Sequence, residues 1–338
     1  MPSKIEISHN TIIFIAVFAF SLWLVTQVWD ILLLFFIALI IMSALKPAVD
    51  LLERFKLPRG LSIIIVYVVM WILLGGLVAS LIPPLIDQTR RLVYLLPPTL
   101  GNIDYLSAHE QEITTQILSS VGSIPQNILK IAVDLFGNVL NVITTMVISF
   151  YLLLERESLD KHTLALVGKK NTPMIMELFG RIETKLGGWI RGELTLMLAV
   201  GSLTYVGLKI LGIDTALPLA ILAGLLEVIP SIGPTVSAIP GILIALTIHP
   251  LLAVSTAALY FLVQFFENNV LVPQVMKKAT GVSPLISILA LMIGFRLAGT
   301  VGAILAIPAV LMVQIVGNQF FPSYFTTETP ETSPSRVK

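Results

Sequence analysis

The chain of 338 residues contains no cysteine. Disulfides, thiolate metal sites and cysteine nucleophiles are therefore excluded. Charge is scarce as well: Asp, Glu, Lys and Arg make up 12% of the residues, against about 25% in a soluble domain. The net charge of +1 gives no electrostatic case for a nucleic-acid partner. Histidine occurs only at His9, His109, His162 and His249, scattered without metal-ligand spacing, so neither a metal nor a cofactor is expected. No G-x-x-x-x-G-K-S/T loop is present, so the chain does not hydrolyse ATP directly. H-E-x-x-H and G-x-S-x-G are also missing, and no carboxylate pair has a hydrolase-like context. Together these absences argue against an enzyme.

Apolar residues are what the chain has in excess: 56% are hydrophobic and the mean hydropathy is +0.93. The fold class this dictates is all-α, a polytopic integral membrane protein, because a bilayer leaves no backbone group unpaired and apolar runs of this kind close their hydrogen bonds as helices. The first run begins near Thr11 after a lone basic residue, Lys4, without a small-residue cleavage site, and reads as a permanent span rather than a signal peptide.

The chain divides into five regions. Residues 1–83 hold two spans, Thr11 to Val28 and Ile31 to Leu45, read as a hairpin about Trp29-Asp30. They also hold a basic amphipathic stretch, Asp50 to Gly60, suited to the membrane surface, and a third span ending at Pro83-Pro84. Lys46, Arg54, Lys56 and Arg59 place that stretch in the cytoplasm. Residues 84–134 are the least hydrophobic internal region and slightly acidic, an extracytoplasmic amphipathic segment. Residues 135–193 give a fourth span and a cytoplasmic helical segment that turns at Gly168 to Asn171, with Arg191 and Glu193 as flanking charges at the mouth of the next span. Residues 194–321 form a C-terminal transmembrane core with broken or re-entrant helices near 216–250 and 285–316. The tail, 322–338, is rich in Pro, Ser and Thr and is expected to be disordered. The total is about eight to ten membrane passes, with both termini cytoplasmic.

The stretch from Leu219 to Pro250 is almost wholly apolar yet cut by Pro230, Pro234, Pro240 and Pro250 into pieces about half the length of a span. It reads as a helix, a break at P-S-I-G-P, and a helix folding back. Such breaks free backbone carbonyls and recur at transporter binding sites. Its single acid, Glu227, precedes the break. A charge at membrane depth costs about 2.5–3.5 kcal/mol on insertion scales, so Glu227 is the leading functional candidate, with Pro230, Gly233 and Pro234 shaping the site around it. Glu267 and Asn268 form a polar cluster at the end of a later span, and Arg296 is the basic residue of the last apolar region, with Glu227 or Glu267 as its natural partner. Structural roles compete with each: a helix-tip glutamate, an interfacial cap, a snorkelling arginine.

The order E-V-I-P-S-I-G-P (Glu227 to Pro234), Pro240-Gly241, F-E-N-N-V-L-V-P (Phe266 to Pro273), G-V-S-P-L (Gly281 to Leu285), G-F-R-L-A-G-T-V-G (Gly294 to Gly302) and A-I-P-A (Ala306 to Ala309) resembles the autoinducer-2 exporter-like family, or PerM-like permeases. The likeness extends over nearly the whole chain, with the specific motifs in its last third. Phe295 stands where the family often has a second glycine. The resemblance implies a bacterial or archaeal inner-membrane permease, in some members associated with export of autoinducer-2 and in others with sodium or lithium/proton antiport, and possible homo-oligomers.

Three functions follow. The first is a secondary transporter exporting a small polar solute with Glu227 as polar anchor. The second is a monovalent cation/proton antiporter using the same carboxylate, for which the intramembrane acids are few. The third is a non-transporting scaffold that binds partners through Glu155 to Glu193. The bilayer, a small polar solute, and a monovalent cation and proton are the expected partners.

Overall fold

The computed structural model of this chain describes residues 9–101, 139–229, 233–276 and 282–320. Among these, every regular element is helical. Five helices are long and apolar enough to cross a membrane and several shorter apolar helices accompany them. The protein is a multi-pass membrane protein. The expected tail at 322–338, Lys277-Lys278 and most of the 84–134 region lie outside the described residues.

Helix α1 (His9–Gln27) leads into α2 (Trp29–Arg54). The expected hairpin about Trp29-Asp30 does not form. The Val28 N–H donates to the Leu24 carbonyl at 3.1 Å and the Leu32 N–H to the Val28 carbonyl at 3.0 Å, so the helical ladder is carried past the joint. The apolar side chains of α1, Phe14, Phe18 and Trp23 among them, are accordingly exposed rather than packed on α2.

Pro47 does not end α2 either. It withholds the N–H that would bond the Ser43 carbonyl, and the helix continues to Arg54. The presumed surface segment from Asp50 to Gly60 is thus the last turn of α2, a tight turn with Lys56 at φ 65°, and the start of α3. Arg59 fixes that turn. It pairs with Glu53 at 3.0 Å and donates from Nε and Nη2 to the Leu153 carbonyl at 2.9 and 2.7 Å, satisfying the end of the next helix.

Helix α3 (Arg59–Gly101) runs on through Pro83-Pro84, where the sequence reading ended a span. Its 43 residues rise about 64 Å, twice the hydrocarbon thickness of about 30 Å, so its far half stands outside the apolar layer. Helix α4 (Val139–Leu154) returns and is followed by a single 3-10 turn, Arg156–Ser158.

Helix α5 (Leu159–Ile210) is two helices joined at Gly168, whose φ of 75° is open to glycine. The arms fold back on one another: Arg156 reaches Glu183 at 2.7 Å and the Thr163 hydroxyl lies 3.8 Å from the Met176 sulfur. The turn expected at Gly168 to Asn171 is confined to Gly168, with Lys169 to Asn171 already helical. The long arm ends in a Schellman motif. The Gly212 N–H bonds the Lys209 carbonyl, the Ile213 N–H bonds the Leu208 carbonyl at 3.0 Å, and Gly212 sits at φ 77°.

The broken segment near 216–250 is also present. Helix α6 (Ala216–Leu226) and α7 (Gly233–Ile248) form a hairpin. A Cβ on Gly233 would run into the Leu226 carbonyl, so only glycine lets the chain return here. Helix α6 rises about 16 Å, half of a crossing. His249 caps α8 (Pro250–Phe266) through its Nδ1, which accepts from the Leu251 N–H at 3.2 Å, with Pro250 in the first helical position. A π-helical turn, Glu267–Leu271, and α9 (Val272–Met276) follow.

Helix α10 (Pro284–Phe320) bears out the break expected near 285–316 and places it at Ala298-Gly299. Gly299 has φ 58° and ψ −141°, a region open to glycine alone. The chain reverses there, and Gly294 and Gly302 meet backbone to backbone with no room for a Cβ on either. What reads as one 37-residue helix is a helical hairpin.

Two apolar clusters hold the bundle together. The first joins Leu39 and Val49 of α2, Ile63 of α3, Leu153, the Leu186–Leu196 portion of α5, and Ile307 and Leu311 of α10. The second joins Val200 and Leu208 of α5 with Leu219, Ala223, Ala245, Tyr260 and Val263. Bare glycines let the backbones close in: a Cβ on Gly224 would stand 2.6 Å from the Met197 carbonyl oxygen.

Candidate functional site

Three glutamates meet at the seam between the two clusters. On the long arm of α5 the buried residues Leu186, Trp189, Glu193, Leu196 and Val200 recur at helical spacing, so Glu193 lies in the inward row. Leu196 belongs to one cluster and Val200 to the other. Glu227 caps the C-terminus of α6, directly ahead of the break. Glu267 ends α8 on the same face as Thr256, Tyr260 and Val263, at the first residue of the π-turn. π-Bulges are rare and concentrate at functional sites.

Their relative exposures are 3%, 2% and 2% for Glu193, Glu227 and Glu267. The Glu227 and Glu267 carboxyls lie within hydrogen-bonding reach of each other, and Glu193 is within electrostatic reach of both. Two carboxyl groups share a hydrogen bond only when one of them carries a proton to donate. One oxygen of each residue, Glu193 Oε1, Glu227 Oε2 and Glu267 Oε2, is buried without a hydrogen-bond partner. No cation pairs with the trio among the described residues. An uncompensated buried charge costs several kcal/mol, so the arrangement is suited to holding a proton and to exchanging it.

The structure brings together three of the residues singled out in the sequence. Glu227 and Glu267 are neighbours, and Gly233 packs under the Glu227 backbone, where a Cβ would lie 2.8 Å from its nitrogen. Asn268 is exposed, and Arg296 is exposed on the first arm of the α10 hairpin, forming an ion pair with neither glutamate. Pro230 lies outside the described residues, and Pro234 sits in the first turn of α7. The sequence reading missed Glu193, taking it with Arg191 as a flanking charge. The signal was the helical spacing itself, which puts Glu193 in line with Leu186, Trp189 and Val200 and turns Arg191 outward.

The family model described as "AI-2E family transporter" matches residues 12–321. Among curated proteins, YrrI, a candidate transport protein of Bacillus subtilis (strain 168), is 27% identical over 295 residues, covering 83% of this chain and 84% of its own. YueF of the same organism, also a candidate transport protein, is 28% identical over 299 residues, with 82% and 81% covered. YhhT of Escherichia coli (strain K12), named in the same way, is 26% identical over 298 residues, with 85% and 84% covered.

Proposed function

Because this chain belongs to the AI-2E transporter family, we propose that it is a proton-coupled secondary transporter, not an enzyme, that exports a small polar solute across the inner membrane. The observation that carries this reading is the burial of three glutamates at one seam, Glu227 at a broken helix and Glu267 at a π-turn, with Glu193 facing them. A proton held between two buried carboxyls is a natural coupling ion. Its release would leave adjacent negative charges in a low-dielectric site, and that repulsion gives the C-terminal end of α6 at Glu227 and the π-turn a reason to move. The solute would enter beside the α6–α7 break, with Glu227 as its polar anchor. Both termini would then be cytoplasmic.

A second reading is favoured by Glu193. Antiport of a monovalent cation against a proton gains from a third intramembrane acid, which adds a carboxylate oxygen for the cation. The scaffold reading explains none of the buried acids.

The test is a pH-gradient dye assay in proteoliposomes of the purified protein, comparing wild type with Glu227→Gln. Sodium or lithium collapsing the gradient only in wild type establishes antiport at this site. No response to cations, with labelled-solute flux that depends on the gradient and is lost in Glu227→Gln, establishes the proton-coupled exporter. Flux unchanged by Glu227→Gln removes Glu227 from the mechanism.

A further inference from the structure

A second polar feature lies apart from the glutamate seam, where the last turns of α2 meet the long arm of α5. A cavity of about 380 Å³ opens there, lined by Ser43, Lys46, Asp50, Arg54, Glu183 and Arg191 among others. Its charges are unevenly engaged. Lys46 bridges Asp50 at 2.7 Å and Glu183 at 3.3 Å, and Arg156 takes the other Glu183 oxygen at 2.7 Å. Both carboxylates are thereby neutralised. Arg54 and Arg191 pair with no carboxylate among the described residues. The hydroxyls of Ser43 and Thr184 already donate to the Leu39 and Gly180 carbonyls, each at 2.8 Å. The donors left to a guest are therefore the two guanidiniums and the third N–H of the Lys46 ammonium.

The place of the cavity is as telling as its lining. It lies at the basic end of α2, just beyond the apolar stretch that spans the bilayer, and beside it Leu51 is 52% exposed. Cations in a pocket between transmembrane helices, next to an apolar side chain facing lipid, match a phospholipid headgroup with its acyl chains alongside. Guanidinium groups suit phosphate oxygens by geometry as well as by charge. The engaged carboxylates keep free lone pairs, which can accept from headgroup hydroxyls.

We infer that this cavity is a binding site for the phosphate group of an anionic glycerophospholipid of the cytoplasmic leaflet, held by Arg54 and Arg191. The site braces a specific joint. Pro47 leaves the Ser43 carbonyl without a helical donor, and Gly187 of α5 packs against that carbonyl so closely that a Cβ would lie 2.7 Å from the oxygen and 3.1 Å from Arg191 Nη1. A bound phosphate clamps α2 to α5 two residues from Glu193, on the opposite side of the same helix.

Native mass spectrometry of the full-length protein, titrated with phosphatidylglycerol or phosphatidylcholine, tests the assignment. Phosphatidylglycerol is expected to bind in preference to phosphatidylcholine. The Arg54→Gln/Arg191→Gln double variant should lower its apparent affinity about thirtyfold, two surface cations' worth. Lys209→Gln, at the other end of α5, should leave it unchanged. Arg54→Lys/Arg191→Lys keeps the charge and should recover part of the affinity, which separates lost binding from lost folding. Equal binding of both lipids, or wild-type affinity in the double variant, overturns the proposal. Displacement of phosphatidylglycerol by glycerol 3-phosphate at comparable concentration would also overturn it, making the guest a soluble phosphate ester.

Discussion

Arg191 and Glu193 are two residues apart and meet opposite environments. Successive α-helical residues turn by about 100°, so Arg191 faces outward to the charged cavity while Glu193 faces the seam. A hydropathy profile averages the two into one polar patch; only the helical phase separates them. Glu193 has no cationic partner among the described residues, so its burial is a cost to the fold. Replacing buried ionisable groups with apolar residues of similar volume often stabilises by about 1–4 kcal/mol. Glu193→Leu is therefore expected to raise the thermal midpoint of the purified protein in detergent while lowering gradient-driven transport. A lower midpoint would mean that the carboxyl is held by contacts other than those described. Glu193→Gln, which keeps shape and loses the titrating group, should fold as wild type and flatten the pH dependence of transport in proteoliposomes.

At the scale of the element, proline and glycine act as a pair. Pro47 does not stop its helix; it exposes one carbonyl, and Gly187 on another helix occupies the space in front of it. Gly187→Ala drives a methyl into a backbone oxygen, and overpacking of this kind costs about 1–3 kcal/mol. The expected result is a lower midpoint in a fluorescence-detected thermal series, larger than for Gly188→Ala, where the space is open. Gly299→Ala, at a backbone conformation closed to side chains, is expected to cost about 1–3 kcal/mol for the same measurement. These elements also mark how far the sequence could be read. The breaks between α6 and α7, at Gly168 and in the last apolar region were legible because Pro and Gly interrupt the helical pattern there. The ends assigned at Pro47 and Pro83-Pro84 were not observed, since a proline within a helix removes one hydrogen bond without forbidding the helix on either side. The joint at Trp29-Asp30 was read as a hairpin because a short polar interruption looks the same whether the chain turns back or runs on. In the candidate site, the acids adjoining breaks, Glu227 and Glu267, could be found by position alone. Glu193 required knowing which face of a long helix is buried, and that is decided by distant partners.

For the whole molecule, the absence of cysteine becomes an experimental advantage. Any single cysteine introduced is the sole thiol in the chain. The exposed positions Lys169, just after Gly168, and Asp214, beyond the end of α5, lie at opposite ends of one long helical arm. With the basic loops cytoplasmic, a membrane-impermeant maleimide should label Asp214→Cys in intact cells and Lys169→Cys only after permeabilisation. Labelling of both from the same side would remove the crossing of α5 and, with it, the placement of the glutamate seam within the bilayer.

The reversal at Gly299 bears on how such maps are read. A hairpin leaves and returns on one side, so it adds an even number of crossings, none or two, to the path of the chain. Whether its tip halts at mid-depth or emerges on the far surface has no effect on the side where Phe320 comes out. A reporter fused beyond Phe320 is blind to that difference and gives the same answer in both cases. A probe at Thr300, next to the turn, is the one that distinguishes them.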